Sequence, residues 1–377
     1  MADDLILDDP AALVAADPGL MLRAVASSGG QVRRALGELD RTAIAELASD
    51  GRPRVIVTTG MGGSGIAGAI LSSLANRASA IPVVSINDYT LPGWVGALDH
   101  VIAISCSGET EETLSAAAQA LRRGARLIAV TSRDSSLHQL AQSSNALSLL
   151  VDAQGLMPRA SLWTLLTPVL MAAEALGVLS GVEPALEQGA DRLDELSLRC
   201  GLEVPLEVNE AKTLGLALAE SLPMVWGSGE VGAVAAYRMC CQLAENAKLP
   251  AVCGALPEAN HNQVVAFSGP AVEPVDIHDI FRDRILDPDP SLRPRLVLVR
   301  DSVEHPQVSK RADLSVQIAM ANGMATSTVS AGDGPAIARL ADLIGVIDWA
   351  TVYAALASGV DPTPIGPIVS LKSGLTD

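Results

Sequence analysis

The feature that most constrains the fold is an internal repeat. The stretch "PMVWGSGEVGAVAAY" can be laid over "TTGMGGSGIAGAI" at a constant offset, matching Gly227 with Gly63, Ser228 with Ser64, Gly229 with Gly65 and Gly232 with Gly68. Both copies sit where a β-branched run gives way to a helical pattern, so the match reads as duplication of one strand-to-helix unit. Around the first copy, the runs "RVIVTTG", "IPVVSIN", "HVIAIS" and "RLIAVTS" alternate with helical "GIAGAILSSLANR", "TEETLSAAAQALRRG" and "SSLHQLAQSS", closed by "SLWTLLTPVLMAAEALGVL". After a charge-rich helical stretch the pattern restarts, with apolar runs "RLVLVR" and "ATSTVSA" and a final helix near "LADLIGVIDWATVYAALASG". Alternation of this kind implies βαβ units with right-handed crossovers and a parallel sheet.

The expected fold class is therefore α/β: two open parallel sheets, each flanked by helices on both faces, doubly wound and flavodoxin-like. The expected division is a helical segment over 1–50, a first domain over 51–185, a helical connector over 186–215, and a second domain over 216–377 with a C-terminal helix and tail. In the N-terminal segment "QVRRALGELDRTAIAELAS" is the clearest amphipathic piece. It carries no functional reading, and covers either the first domain or a dimer contact.

Composition narrows the partners. Hydrophobic residues make up 49% and charged residues 18% of the chain, which is globular rather than disordered. Aromatics are only 2%, so the cores must be built from Ala, Val, Leu and Ile. A formal net charge of -17 repels phosphate overall and argues against nucleic acid or an anionic membrane as partner. Any phosphorylated ligand must be held by local groups. The acidic N-terminus lacks the basic start of a secretory signal, and no uninterrupted apolar run reaches membrane-spanning length, so the expected location is the cytoplasm. The five cysteines form no CxxC pair and the histidines show no HxH or HExxH spacing; neither a disulfide framework nor a zinc site is expected.

Two polar constellations stand out. In "SCSGETEETL", Ser105, Ser107 and Thr110 fall between a strand and a helix, where free N–H groups and the helix dipole favour an anion. Gly108 permits the tight turn. The competing reading is an ordinary helix capped by Thr110, with Glu111 and Glu112 complementing the dipole. In "VTTGMGGSGIAG", Gly62, Gly63 and Ser64 form a second such turn, where a ligand can approach the backbone. Its spacing meets GxGxxG only loosely, although Asp88 in "IPVVSINDYT" keeps a nucleotide fold open. Arg159 in "GLMPRASLWTLL" follows Pro158; if Pro158 opens the helix, Arg159 is a cation at the disfavoured end of the dipole, which calls for an anionic partner in the protein or on a substrate.

The second constellation is "QLAENAKLPAVCGALPEANHNQ". A continuous helix from Gly229 to about Lys248 puts Arg238, Gln242 and Glu245 on one polar stripe, with Glu245 near the end where the dipole disfavours a carboxylate. Such a group suits a general base; the plain alternative is pairing with Arg238 or Lys248. His261 suits a proton shuttle, the plain alternative being a loop histidine hydrogen-bonded by Asn260 and Asn262.

Taken together, "GMGGSG", "SCSGETEET", "MPRAS", "YRMCCQLAENAKLP", "PEANHNQ" and "GVDPTPIGPIVSLK" resemble, in order and spacing, the bifunctional phosphoglucose/phosphomannose isomerases built from two sugar isomerase (SIS) domains, from about residue 55 onward. The resemblance implies reversible conversion of glucose 6-phosphate or mannose 6-phosphate to fructose 6-phosphate, without metal or nucleotide. It implies that Ser64, Ser105, Ser107 and Thr110 bind the phosphate, with Gly62 and Gly63 in the substrate loop. It gives His261 to ring opening, Glu245 to proton transfer between carbons 2 and 1, and Arg159 to the enediolate charge. It also implies a homodimer in which the partner supplies His261, with the apolar spacer "LPAVCGALP" as the arm carrying it. Thr363 matches a position associated with accepting both epimers, and Lys372 is a weaker match. The chain departs from the family at Cys106, Glu109 and Gln263, where Tyr, Asn and Glu are usual. Because "LVLVRDSVEHPQ" replaces the serine loop in the second half, one phosphate site per chain is expected. The alternatives are a SIS protein that senses a sugar phosphate without turnover, and an isomerase of another phosphosugar.

Overall fold

The computed structural model describes residues 2–269, 271–272 and 293–375, without the side chains of residues 50 and 76–78. The chain divides into two compact units, one of Ala24–Glu195 with Gly334–Ala341, the other of Met1–Arg23, Leu196–Asp333 and Asp342–Asp377. The N-terminal helical stretch is thus shared between them, and the boundary after it falls inside the helix Val182–Cys200.

The first unit holds five parallel strands, β1 (Ile56–Thr59), β2 (Val83–Ile86), β3 (His100–Ser105), β4 (Arg126–Thr131) and β5 (Leu147–Leu150), in the order β2-β1-β3-β4-β5. The expected α/β class and flavodoxin-like order are found. β5 was not among the sequence runs: at four residues, three of them half-buried, "LSLL" offers too little periodicity to separate from its surroundings. Small side chains set the packing. Ala103, Ala116, Ala117, Ala120 and Ala129 are fully buried beside Val57, Val101 and Leu137, which lets helices lie close to the sheet without aromatic fillers. The amphipathic piece "QVRRALGELDRTAIAELAS" spans two helices, Ser28–Glu38 and Arg41–Leu47, because Asp40 accepts hydrogen bonds from the N–H groups of Thr42 and Ala43, both at 3.0 Å, and starts a new helix.

The second unit has four parallel strands, β6 (Ser221–Ser228), β7 (Val252–Ala255), β8 (Arg293–Arg300) and β9 (Ala325–Ser330), ordered β7-β6-β8-β9. This repeats the first four places of the first sheet, as the duplicated "GSG" turns require. β7 corrects a reading: it lies within "LPAVCGALP", so the spacer is no free arm but an edge strand in register with β6 from Met224↔Val252 to Gly227↔Ala255. Trp226 stacks on Phe267 at 5.1 Å between ring centroids, giving this core an aromatic pair.

One helix among the described residues, Ala336–Ala357, is long and apolar enough to cross a membrane, although Arg339, Asp342 and Asp348 keep it from being an uninterrupted apolar run. Burial of 94% of its apolar window marks it as a core helix.

Candidate functional site

In the first sheet the strand order reverses between β1 and β3, and the carboxyl ends of these two neighbours carry the two polar turns. Ligands of open α/β sheets bind at such a reversal. The Gly62–Ala78 helix follows β1 with Met61 at its N-cap, a side chain that cannot accept from the first-turn N–H groups. Gly62 has φ +51, and Gly63 has no room for a side chain: a Cβ there would lie 2.8 Å from the Pro158 oxygen and 3.2 Å from the Arg159 nitrogen. The glycine turn thus packs directly on the turn that carries Arg159.

The β3 loop is tied to this helix through Ser64, whose Oγ accepts from the Cys106 N–H at 3.3 Å. Ser105 Oγ accepts from the Gly108 N–H at 3.0 Å and lies 3.0 Å from Thr110 Oγ1. Thr110 stands at the N-cap of helix Glu111–Arg122 as the ordinary-helix reading expects, yet its side chain makes no capping bond. Both helices at the reversal therefore begin without a side-chain cap, leaving first-turn N–H groups directed at the crevice. Ser107 is exposed on the rim, accepting from the Glu109 N–H at 3.2 Å.

Glu109 does not oppose an anion from within the loop. Its carboxylate accepts from the Ser136 N–H at 2.8 Å and the Ser136 Oγ at 2.6 Å, at the start of the next helix, and these bonds hold the carboxyl below the usual range. At Cys106 the loop uses the backbone N–H, while burial pushes the thiol up, against Ser161 Oγ at 3.8 Å. Asp88 closes its own turn by accepting from Thr90 N–H at 3.1 Å, which accounts for it without a nucleotide ribose.

Arg159 is 2% exposed. The placement expected from Pro158 is corrected: Pro158–Ala160 is a separate 3-10 turn, and the α-helix starts at Leu162. Arg159 is thus a buried residue whose backbone lies beside the glycine turn, not a residue of the first turn of a helix.

The second unit differs at the equivalent turns among its described residues. Asp301, just past β8, accepts from the N–H groups of Glu230 at 3.0 Å and Val231 at 3.3 Å, filling the N-terminus of helix Gly229–Gln242 with the protein's own carboxylate. His305 Nδ1 accepts from the Gln307 N–H at 3.1 Å and caps the helix that follows, Pro306–Ala321. The Ser228 hydroxyl donates to Glu304, which Arg300 also holds, with Nη2 at 2.7 Å from its carboxylate. Both duplicated positions are occupied from within.

The expected polar stripe of Arg238, Gln242 and Glu245 is also corrected. The α-helix ends at Gln242 and a π-helical turn runs from Leu243 to Ala247, a feature that often marks functional sites. Arg238 binds Asp348 bidentately (2.9 and 2.7 Å), Gln242 reaches the same carboxylate at 3.1 Å, and Asn246 continues the stripe to Thr351 at 3.1 Å. Asn246 thus takes the place on the stripe expected for Glu245, which is half-buried. Lys248, at φ +57, closes the turn: its ammonium donates to the carbonyls of Glu245 at 2.6 Å, Asn246 at 3.3 Å and Pro362 at 3.2 Å. That last bond brings Thr363 beside the Glu245 turn, and the Thr363 side chain lies directly on Gly19. Lys372 is exposed on the terminal helix Gly366–Gly374, away from these contacts.

His261 is exposed and makes no hydrogen bond among the described residues, to Glu245 or to either neighbour. Asn260 instead donates to Ser315 at 2.8 Å, and Asn262 donates to Glu258 at 3.0 Å. Gln263 accepts from Trp226 Nε1 at 2.6 Å and donates to the Cys253 carbonyl at 3.0 Å. An amide can both accept and donate where a carboxylate could only accept, and Gln263 thereby anchors the loop to β6 and β7.

Residues 52–179 match the SIS domain family, and residues 207–375 match the bacterial phospho-glucose isomerase C-terminal SIS domain. A bifunctional phosphoglucose/phosphomannose isomerase from Caldicellulosiruptor bescii is 32% identical over 322 residues, 85% of this chain and 89% of the relative. The chain belongs to the bifunctional phosphoglucose/phosphomannose isomerase family. Another relative of that description, from Aquifex aeolicus, is 30% identical over 88% of this chain and 93% of its own. Among solved structures, tagatose-6-phosphate ketose/aldose isomerase from Escherichia coli has a TM-score of 0.65 at 16% identity, covering 91% of this chain and 95% of its own. The C-terminal domain of glucosamine-fructose-6-phosphate aminotransferase from Francisella tularensis has a TM-score of 0.64 at 14% identity, covering 91% and 98%. At these identities the likeness is one of fold.

Proposed function

We propose that this family member is a phosphosugar isomerase interconverting fructose 6-phosphate with glucose 6-phosphate, mannose 6-phosphate or both. The observation that carries the reading is the contrast between the two sheets: the β1 and β3 helices start uncapped around Ser64, Ser105 and Thr110, whereas Asp301 and His305 fill the duplicated positions. A phosphate dianion fits N–H groups and hydroxyls in a chain of net charge -17 better than any extended polyanion.

In the proposed reaction, Ser64, Ser105, Ser107 and Thr110 hold the phosphate. His261 moves a proton at the ring oxygen as the sugar opens. The Glu245 carboxylate takes the proton from carbon 2 and returns it to carbon 1, and Arg159 offsets the negative charge of the cis-enediolate between those steps. Proton transfers complete the conversion, so no metal or nucleotide is given a role. The exposed, unpartnered imidazole of His261 supports its use in a second subunit of a homodimer, and a cytoplasmic location accords with a sugar-phosphate substrate. Thr363 is assigned to epimer tolerance, which its position next to Pro362 and the Lys248 contact supports; Lys372 rests on its motif match.

A panel of hexose 6-phosphates, including amino sugar phosphates, with product identification tests the proposal. Production of an aldose 6-phosphate from fructose 6-phosphate is expected. Turnover confined to a different phosphosugar replaces the substrate assignment, and binding without any turnover replaces the enzyme with a sensor.

A further inference from the structure

The first 23 residues belong to the second unit and are anchored in it. Leu7 and Leu13 are fully buried, the Asp3 N–H donates to the Ala357 carbonyl at 2.8 Å, and Asp8 accepts from the Leu206 N–H at 2.6 Å. The loop that follows is held by Asp17, 3% exposed, whose carboxylate accepts from the N–H groups of Met21 at 2.9 Å and Leu22 at 2.8 Å. Gly19, inside that loop, stands against Thr363. A Cβ at Gly19 would fall 2.6 Å from the Thr363 Cβ and nearer still to its hydroxyl, so the backbone rests on that side chain with no space between them.

Thr363 follows Pro362, and the Pro362 carbonyl is one of three that Lys248 holds. The last carbonyls of a helix have no partner within it. At the π-helical turn those of Glu245 and Asn246 are met by the Lys248 ammonium at 2.6 and 3.3 Å, and the same ammonium crosses to Pro362 at 3.2 Å. An ammonium has three donors, which matches three carbonyls. The chain also reverses at Lys248, with φ +57, a left-handed conformation that glycine adopts more readily than lysine. It is the side chain, not the backbone, that suits lysine to this position.

We propose that Lys248 and Gly19 are positioning residues for the isomerisation. The loop at Gly19 backs Thr363, the Thr363 turn carries the Pro362 carbonyl, and Lys248 ties that carbonyl to the backbone of Glu245. The inference rests on the reading of Glu245 as the proton carrier and gives the N-terminal segment its part in the reaction. A base misplaced by about 1 Å slows its step by about 10²-fold, while a sugar held by its phosphate still binds.

Two variants and their combination decide the matter, assayed on the full chain with the phosphosugar that the natural chain turns over. Lys248→Gly keeps a residue at home in the left-handed region and deletes the ammonium; Gly19→Ala drives Thr363 aside. Each is expected to lower kcat at least about tenfold, with Kd by calorimetry unchanged and circular dichroism that of the natural chain. Because both act along one line of contacts, the double variant is expected to be no slower than Lys248→Gly alone, whereas independent losses would multiply. Where Gly19→Ala unfolds, Asp17→Asn, which loosens the same loop without adding bulk, takes its place. An unchanged kcat in folded Lys248→Gly, a Kd that weakens in step with kcat, or losses that multiply in the double variant overturns the proposal and leaves Glu245 its role. A natural chain that binds hexose 6-phosphates and turns over none overturns the reading of Glu245 and the proposal with it.

Discussion

The Thr110 hydroxyl lies 3.0 Å from the Ser105 hydroxyl and makes no bond to the N–H groups of the helix it begins. A threonine in the N-cap position normally stabilises its helix by about 1 kcal/mol through that bond. Here the hydroxyl serves the loop. Thr110→Val is therefore expected to raise KM for fructose 6-phosphate about tenfold, ~1.4 kcal/mol of binding, with less change in stability than loss of a true cap would give. Steady-state kinetics beside urea unfolding check this; a large drop in stability with unchanged KM would return Thr110 to an ordinary capping role.

Asp301 predicts the reverse pattern. Asp301→Ala leaves the N–H groups of Glu230, Val231 and Val303 without their acceptor. A loss of about 1–3 kcal/mol in urea unfolding is expected, with KM for the sugar phosphate unchanged.

Gly63 couples the glycine turn after β1 to the turn that carries Arg159. In Gly63→Ala the new methyl group meets the Pro158 carbonyl at 2.8 Å, so the Arg159 turn must move. With Arg159 in its proposed role of offsetting the enediolate charge, a displacement of about 1 Å is expected to lower kcat by about 10²-fold in a chain that remains folded. Circular dichroism and kcat on the same sample separate this from unfolding.

The first sheet carries its own pH dependence at Asp99. Burial pushes this carboxyl up, but hydrogen bonds from Arg54 (2.9 and 2.6 Å) and the Gly96 N–H (2.8 Å), with the Arg54 charge, outweigh it and hold the group below the 3.8 of a free aspartate. A carboxyl held down in the folded state contributes its full stability above the unfolded value and loses it as pH falls through the folded one. The stability gap between the natural chain and Asp99→Asn is therefore expected to be flat from about pH 7 to pH 5 and to shrink below about pH 4, measured by urea unfolding across pH.

How far the sequence carried depended on whether a signal was local. The alternating runs gave the α/β class and the duplicated turns gave the second sheet, because period and glycine placement are local properties. The strands β5 and β7 were missed: each is four residues long, and β7 contains Gly254, so neither has the pattern of a buried run. The π-helical turn at Leu243–Ala247 left no periodic trace, which is why Glu245 was assigned to a stripe that Asn246 occupies. Asp301 could be read only as the absence of a serine loop; that its carboxylate fills a helix N-terminus depends on the approach of β8 to β6, a tertiary relation. Gln263 is legible in the sequence only as a departure from the family; its role depends on a donor and an acceptor distant in the chain, Trp226 Nε1 and the Cys253 carbonyl.

In the proposed reaction Glu245 carries the proton between carbons 2 and 1 of the sugar. Fructose 6-phosphate incubated in deuterium oxide with the natural chain and with Glu245→Gln, with label at both carbons followed by NMR and binding by calorimetry, tests that role. Incorporation is expected with the natural chain, and undiminished binding but a loss of exchange of at least about 10³-fold in the variant, at the scale of removing a general base. Fructose 6-phosphate bound by the natural chain without deuterium at either carbon, or exchange that survives Glu245→Gln, would contradict it.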